Sequence, residues 1–484
     1  MKPTRNSLLW SAALALMLSA PAAHALSPEV ASRLQQRAGL GPDPHAAAAL
    51  QLMSLPRAID RLVDDARAAH RAQTPPPDWA DEPLARPASN ATLTADERRA
   101  RQRQIAQRGA ELQGWWMHEM LSTPSPLAER MTLFWHGHFT SGLREVRSPQ
   151  LLYQQNVLLR EHALGNYRTL LTAVVRDPAM LLYLNNQQNR RDAPNENFAR
   201  ELLELFTLGE GHYTERDVHE AARAFTGWRM QPTTGEFVIA PRLHDDGDKE
   251  FLGARGALGG DEVVAQILKQ PRAAEFIVEK LWREFVSPQP DARAVRRLAA
   301  DFRRDWEIAP LLKALLRRAA LDSPRNQAAL VKSPVEFVVG TLRTLDLPVQ
   351  PRVAALAVGG MGQQLFAPPN VRGWPGGESW ITTQSLLARR QFVLTISGQR
   401  ADPSAADETA DRGVAGASRR RAEKGARLAT PRLGAMFGER AEAHAPDWAA
   451  RELLPRSPVT PAEPGATPAE RLQAALLDPA YQLK

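Results

Sequence analysis

Apolar positions recur at helical spacing through most of this chain, and runs that alternate at strand spacing are scarce. The clearest segment is Asn195–Gly209. At about 100° per residue, Phe198, Leu202, Leu205 and Phe206 share one face, while Asn197, Glu201 and Glu204 gather on the other. Asn195 is placed to cap its start, and Gly209 follows its end. Similar spacing predicts helices from Ser27-Pro28-Glu29 through Leu34 and around Ala58, Leu62 and Val63. Thr94-Ala95-Asp96-Glu97 has the form of a capping box that opens a long helix to Thr123-Pro124. Further helices are predicted at Glu129–Trp135, Gln150–Leu164, Tyr167–Val175 and after Asp177-Pro178, and from Thr214 to Gly227, where the helix pairs with Asn195–Gly209 in an αα-hairpin. The rest are expected at Glu262–Lys269, Ala273–Val286, Ala292–Asp305, Pro310–Ala319, Pro334–Thr344, Trp380–Ile396 and Pro468–Leu477. Phe237-Val238-Ile239 is one of few β-like runs. The fold class read from this pattern is all-α: a multi-helix globular bundle with one long Gly/Pro/Trp-rich loop, Met361–Gly377, and negligible β content.

Composition divides the chain further. Residues 1–25 carry a basic start (Lys2, Arg5), an apolar run from Leu8 to Leu18, and Ala23-His24-Ala25. This is the pattern of a secretory signal with cleavage expected after Ala25, so a periplasmic or secreted protein is expected. No later run reaches about 20 apolar residues, so no membrane span is expected after cleavage. A main helical domain is read over 26–397, with a Pro-rich excursion at 71–93. Residues 398–446, rich in Ala, Arg, Gly and Asp, read as a flexible low-complexity insertion. Residues 447–484 form a C-terminal segment with a final helix.

The chain has 484 residues, 24% of them charged, a formal net charge of +7, and no cysteine. Disulfides, thiolate metal sites and a cysteine nucleophile are therefore excluded. The charges are mixed along the chain. Together with the export signal and a hairpin whose His219 and Arg223 sit beside Glu220, this argues against nucleic acid as a partner. No Gly-x-Ser-x-Gly, P-loop or dinucleotide pattern is present.

The chain resembles the uncharacterised bacterial family catalogued as domain of unknown function 1800, from Arg37-Ala38-Gly39-Leu40-Gly41 to Leu477–Gln482. The matching runs are His136–Phe139, Asn195–Leu205, Tyr213-Thr214 with Thr226-Gly227-Trp228, and His244-Asp245 with Gly247, Lys249 and Leu252-Gly253. Lys332–Glu336, Pro368–Val371, Gly373-Trp374 and Trp380-Ile381 complete the set. One departure is Asn185, where relatives often carry Asp. The resemblance implies an exported helical protein and no defined activity. It also implies a candidate partner, a co-exported protein whose fold is similar to phosphatases and sulfatases.

Chemistry-bearing residues cluster within these runs. Glu201 and Glu204 are three apart on a helix, with Asn197 one turn before. Two neighbouring carboxylates can share a metal or divide acid and base roles. Glu196 and Arg200 read as an ordinary i,i+4 ion pair. His136 and His138 would point to one side if Gly137 broke the helix, and would diverge if it did not. His244 and Asp245 offer further ligands in a loop that lacks the full ligand pattern of a calcium-binding EF-hand. If these segments met, they would form a His/carboxylate centre for a divalent metal ion, with His136, His138, His244 and Asp245 as ligands. Trp374 and Trp380 can stack on a sugar ring or pack the loop, and Arg223 is a further binding candidate. Two readings follow: a hydrolase using Glu201, Glu204, Asn197 and His138, or a non-catalytic envelope protein binding a protein partner or a glycan through the Trp loop.

Overall fold

The computed structural model describes residues 25–84, 93–321, 328–399 and 432–484. The expected signal segment, all but its last residue, lies outside the described residues, as does most of the expected insertion at 398–446. The described part of that insertion is helical over 432–442.

The architecture is a helical bundle, with two short antiparallel ladders. Trp228–Met230 pairs with Phe237–Ile239, and Lys249–Phe251 with Ala254–Gly256. Capping chemistry sets many helix starts. Ser27 and Thr94 accept backbone N–H groups of their first turns, and Thr94–Glu97 and Thr214–Asp217 form reciprocal boxes. Helices Pro334–Thr344 and Pro468–Leu477 have the limits expected from their patterns. Helices that escaped the pattern include the short Leu143–Val146 and Trp448–Glu452 and two longer ones, Pro44–Gln51 and Pro351–Gly360. The longer two are rich in Ala or Gly, so their apolar stripe is weak, and proline at the first turn was their only strong marker.

The core falls into two clusters. One joins the N-terminal helices to those between Gly260 and Leu321; the other joins the long helix Ala95–Ser122 to Pro334–Ile396 and the C-terminal helices. Trp116 and Trp135 are fully buried, each worth about 2–3 kcal/mol in apolar burial. Their indole N–H groups bond Glu129 Oε2 at 2.7 Å and the Ala163 carbonyl at 2.9 Å. The turn at Gly39-Leu40-Gly41 docks on helix Pro334–Thr344 so closely that a Cβ on Gly41 would lie 2.3 Å from Gly340 Cα. The described part of the Pro-rich excursion is held by buried Glu119, which accepts the Gln73 and Thr74 N–H groups.

Helix Pro126–His138 runs through His136-Gly137-His138 instead of stopping at Trp135. The two imidazoles therefore diverge. The Asn195–Gly209 segment also departs from a plain helix: an α-turn, Asn197–Glu201, passes into a π-turn, Leu202–Thr207. Asn195 Oδ1 does accept the Asn197 N–H at 3.0 Å, and Gly209 ends the segment at φ +83°. Asn185 stands at φ +59°, a conformation that asparagine and aspartate both tolerate, which accounts locally for the departure at this position.

Candidate functional site

The wide turn at Leu202–Thr207 redirects backbone carbonyls away from the helix's own N–H groups, and four side chains take them up. Lys280 donates to the Leu205 carbonyl at 3.1 Å and Arg272 to that of Leu208 at 3.0 Å. The Phe206 carbonyl receives His138 Nε2 at 3.0 Å and the Tyr167 hydroxyl at 3.2 Å. A carbonyl only accepts, so Nε2 of His138 carries the ring proton. Burial, and then the charge of Lys280, hold the His138 pKa well below the usual range, so the ring is neutral. Its Nδ1 is buried with no hydrogen-bond partner among the described residues. π-turns of this kind frequently lie at functional sites.

On the outer side of the same turn lies the carboxylate pair. Glu204 accepts from Arg372 Nη2 at 2.7 Å and from the Tyr213 hydroxyl at 3.2 Å. Glu201 is half-buried and makes no hydrogen bond or ion pair among the described residues. Burial first, and then the nearby Glu204 charge, raise its pKa, against the pull of Arg372 and Arg200. Tyr183 borders this pair, and its hydroxyl is pushed up to about 12 by burial and by Glu145 and Glu201. Asn197 is turned to structure, donating to the Leu184 carbonyl at 3.0 Å. Glu196 and Arg200 pair at 3.1 Å, and Arg200 also binds Glu215 at 2.7 Å.

Arg372 links the carboxylates to a cavity of about 530 Å³. His138, Lys280, Arg283, Trp374 and Trp380 line it, together with the balanced group of Arg130, Glu284, Glu336 and Lys484. The loop that roofs it is seated at Gly373, where φ is +74° and a Cβ would fall 2.5 Å from the Gly137 carbonyl oxygen. His136 serves the same seat: its buried Nε2 accepts the Phe366 N–H at 3.3 Å, and its ring lies 5.6 Å from that of Trp374. Burial pushes its pKa down to about 3.

The remaining candidates lie in a separate arrangement. His244 Nδ1 bonds the Thr226 carbonyl at 2.8 Å, and Asp245 is gripped by Arg223 at 2.8 and 3.2 Å. Burial would raise the Asp245 pKa, but Arg223, the Gly247 N–H and Lys249 outweigh it and hold the carboxyl low. Arg223 also bonds Glu220 and the Asp248 carbonyl, so it fastens the loop. Among the described residues, no three His, Asp or Glu side chains converge as ligands for a metal ion. The centre expected from His136, His138, His244 and Asp245 is not assembled, because the first two diverge on one helix and the last two are bonded within their own loop.

A family model described as "Protein of unknown function (DUF1800)" matches residues 33–483. The chain belongs to this family. The match takes in every segment that builds the DUF1800 site, from the His136 helix to the Trp374 loop. No curated protein and no solved structure is found similar to the chain. Among the described residues no helix is long and apolar enough to cross a membrane.

Lys280, Arg283, Tyr183 and Arg372 were not singled out from the sequence. Arg372 and Tyr213 sit in or beside matching runs, which was a usable signal. Lys280 lies on an ordinary amphipathic helix, Pro271–Phe285, and gave none.

Proposed function

We propose that this DUF1800 protein is an exported hydrolase in which Glu201 and Glu204 divide acid and base work on a polar substrate seated in the adjoining cavity. The observation that carries this reading is the asymmetry of the pair. Glu204 is fixed by Arg372 and Tyr213, whereas among the described residues Glu201 has no hydrogen-bond or ion-pair partner, and its pKa is raised. Carboxylates held in unlike environments are suited to opposite proton-transfer roles. Glu201 donates its proton to the leaving oxygen as the scissile bond breaks. Glu204 accepts a proton from the attacking water, whose oxygen forms the new bond. Solvent then returns the pair to its starting protonation. The test is turnover on a panel of chromogenic esters, phosphoesters and glycosides. Glu201→Gln should lower the rate by about a hundredfold or more, while Glu196→Gln should not. Equal turnover by wild type and Glu201→Gln, or none by either, overturns the reading.

A second reading, binding of a protein partner, is favoured by one observation. Next to the Trp loop, Ile381, Leu386 and Leu387 are exposed, Leu387 at 61%. Leu386 and Leu387 are adjacent on helix Thr383–Ile396, and a contiguous exposed apolar patch marks an interaction site. Co-purification with a co-exported phosphatase-like protein, lost in Leu386→Asp/Leu387→Asp and kept in Glu201→Gln, would favour it over catalysis.

A further inference from the structure

Charge is unevenly distributed around the cavity beneath the Trp374 loop. One group is balanced: Arg130 binds Glu336 at 2.7 Å and Glu284 at 2.8 Å, and the Lys484 ammonium pairs with both carboxylates. The same lining also carries Lys280 and Arg283, on the helix Pro271–Phe285 that bears Glu284, and Arg372 from the Trp374 loop. Lys280 makes one hydrogen bond, to the Leu205 carbonyl, and stands 4.9 Å from the centre of the Phe276 ring. Among the described residues it has no acidic partner. Burial pushes its pKa down to about 8, with the charges of Arg283 and Arg372 acting in the same direction. Among the described residues Arg283 pairs only with Glu279, at 3.7 Å, and about half its side chain is exposed. Arg372 shares its charge with Glu204. Glu378, the remaining acid of the lining, is exposed and pairs with none of them.

The buried Lys280 is repelled by Arg283 and Arg372, and among the described residues only the Leu205 carbonyl and the Phe276 ring, no carboxylate, offset that cost. An oxyanion placed among the three cations would offset it further, through charge-assisted hydrogen bonds. Trp374, half-buried, and the buried Trp380 belong to the same lining, and an aromatic ring there suits a flat ligand.

We infer that Lys280, Arg283 and Arg372 form a subsite for an oxyanion, a carboxylate or phosphate carried on a ring that lies against Trp374. The inference rests on the cavity being the substrate's seat, but not on the chemistry of Glu201. Acidic sugars and phosphorylated sugars share the chemistry that fits.

Calorimetric titration with glucuronate, glucose 6-phosphate, inorganic phosphate and glucose tests it. The three anions should bind, and glucose should bind about tenfold more weakly or not at all. Their binding should weaken as salt rises from about 0.1 M to about 1 M, where the Debye length falls from about 10 to about 3 Å. Tighter binding of glucuronate identifies the carboxylate source, and tighter binding of glucose 6-phosphate the phosphate source. Lys280→Gln and Arg283→Gln should each weaken anion binding about tenfold, the loss of one charge-assisted contact, with Lys280→Arg retaining most of it. Glu201→Gln should bind anions as wild type does, which separates this subsite from the catalytic proposal. Glucose binding equal to that of the anions, no anion binding by wild type, or unchanged anion binding by a folded Lys280→Gln/Arg283→Gln variant overturns the inference.

Discussion

The guanidinium of Arg372 donates to Glu204 Oε1 at 2.7 Å, tying the Trp-containing loop to the π-turn that carries the carboxylate pair. The same charge reaches Glu201, where it opposes the rise in pKa caused by burial and by Glu204. Arg372→Gln should therefore raise the Glu201 pKa further. NMR titration of the Glu201 carboxyl would show it directly. If Glu201 is the proton donor, the alkaline limb of the rate profile should move to higher pH as well. A Glu201 pKa that falls or stays in place would break the proposed coupling.

The two glycines where the loop meets the His136 helix should respond in opposite directions. A Cβ at Gly373 would strike the Gly137 carbonyl at 2.5 Å, in a backbone with φ +74°. Gly373→Ala should destabilise by about 2–4 kcal/mol, from a clash with backbone and a left-handed conformation together. Gly137 lies within a continuous helix, and a Cβ there meets nothing within 4 Å. Gly137→Ala should be neutral or stabilise by up to about 1 kcal/mol. Denaturant midpoints of the two variants check both, and equal losses would contradict this account of the seat.

This contrast shows where sequence periodicity stopped being informative. Apolar spacing and capping pairs, such as Thr94 with Glu97 and Thr214 with Asp217, located most helices because the forces involved act within a few residues. Gly137 read as a helix breaker because local propensity disfavours it. Packing of Met131 and Trp135 into the core outweighs that preference and carries the helix through His138. The pairing of Glu204 with Arg372 spans 168 positions, and the Lys280 bond to Leu205 spans 75. Such contacts depend on how helices cross, which no local pattern encodes. Glu201 and Glu204 were recognisable from their spacing, but their unequal surroundings were not.

Acid should expose the two buried histidines. The His136 pKa in the folded chain is about 3, against about 6.5 when unfolded, and that of His138 is also well below the usual range. Between those values the unfolded chain binds more protons, so stability falls as pH drops below about 6.5 and continues to fall toward 3. Each ring contributes up to about 1.4 kcal/mol per pH unit. In His136→Gln, whose amide oxygen can still accept the Phe366 N–H, part of this slope should vanish. Wild-type and variant stability curves should run parallel above pH 7 and converge or cross below 6.5. Parallel curves throughout would mean that His136 is not buried in the neutral form.

Lys332 should act at the opposite end of the pH range. Its ammonium is buried with no hydrogen-bond partner among the described residues and lies 3.6 Å from the centre of the Tyr481 ring. Burial pushes its pKa down to about 7, with Arg389 and Lys484 adding to the shift and Glu336 opposing it. From about pH 7 to the unfolded value near 10.4, the unfolded chain binds the extra proton, so stability should rise with pH across that window. Lys332→Met keeps the apolar stem and removes the titrating group. It should remove up to about 1.4 kcal/mol per pH unit of that rise and leave the protein at least as stable as wild type at pH 7, where an unpaired buried cation is a liability. Chemical denaturation at pH 7 and pH 9 provides the comparison. A variant that gains stability with pH as steeply as wild type, or that is strongly destabilised at pH 7, would show that the Lys332 charge supports the fold through its attraction to Glu336 and Tyr481.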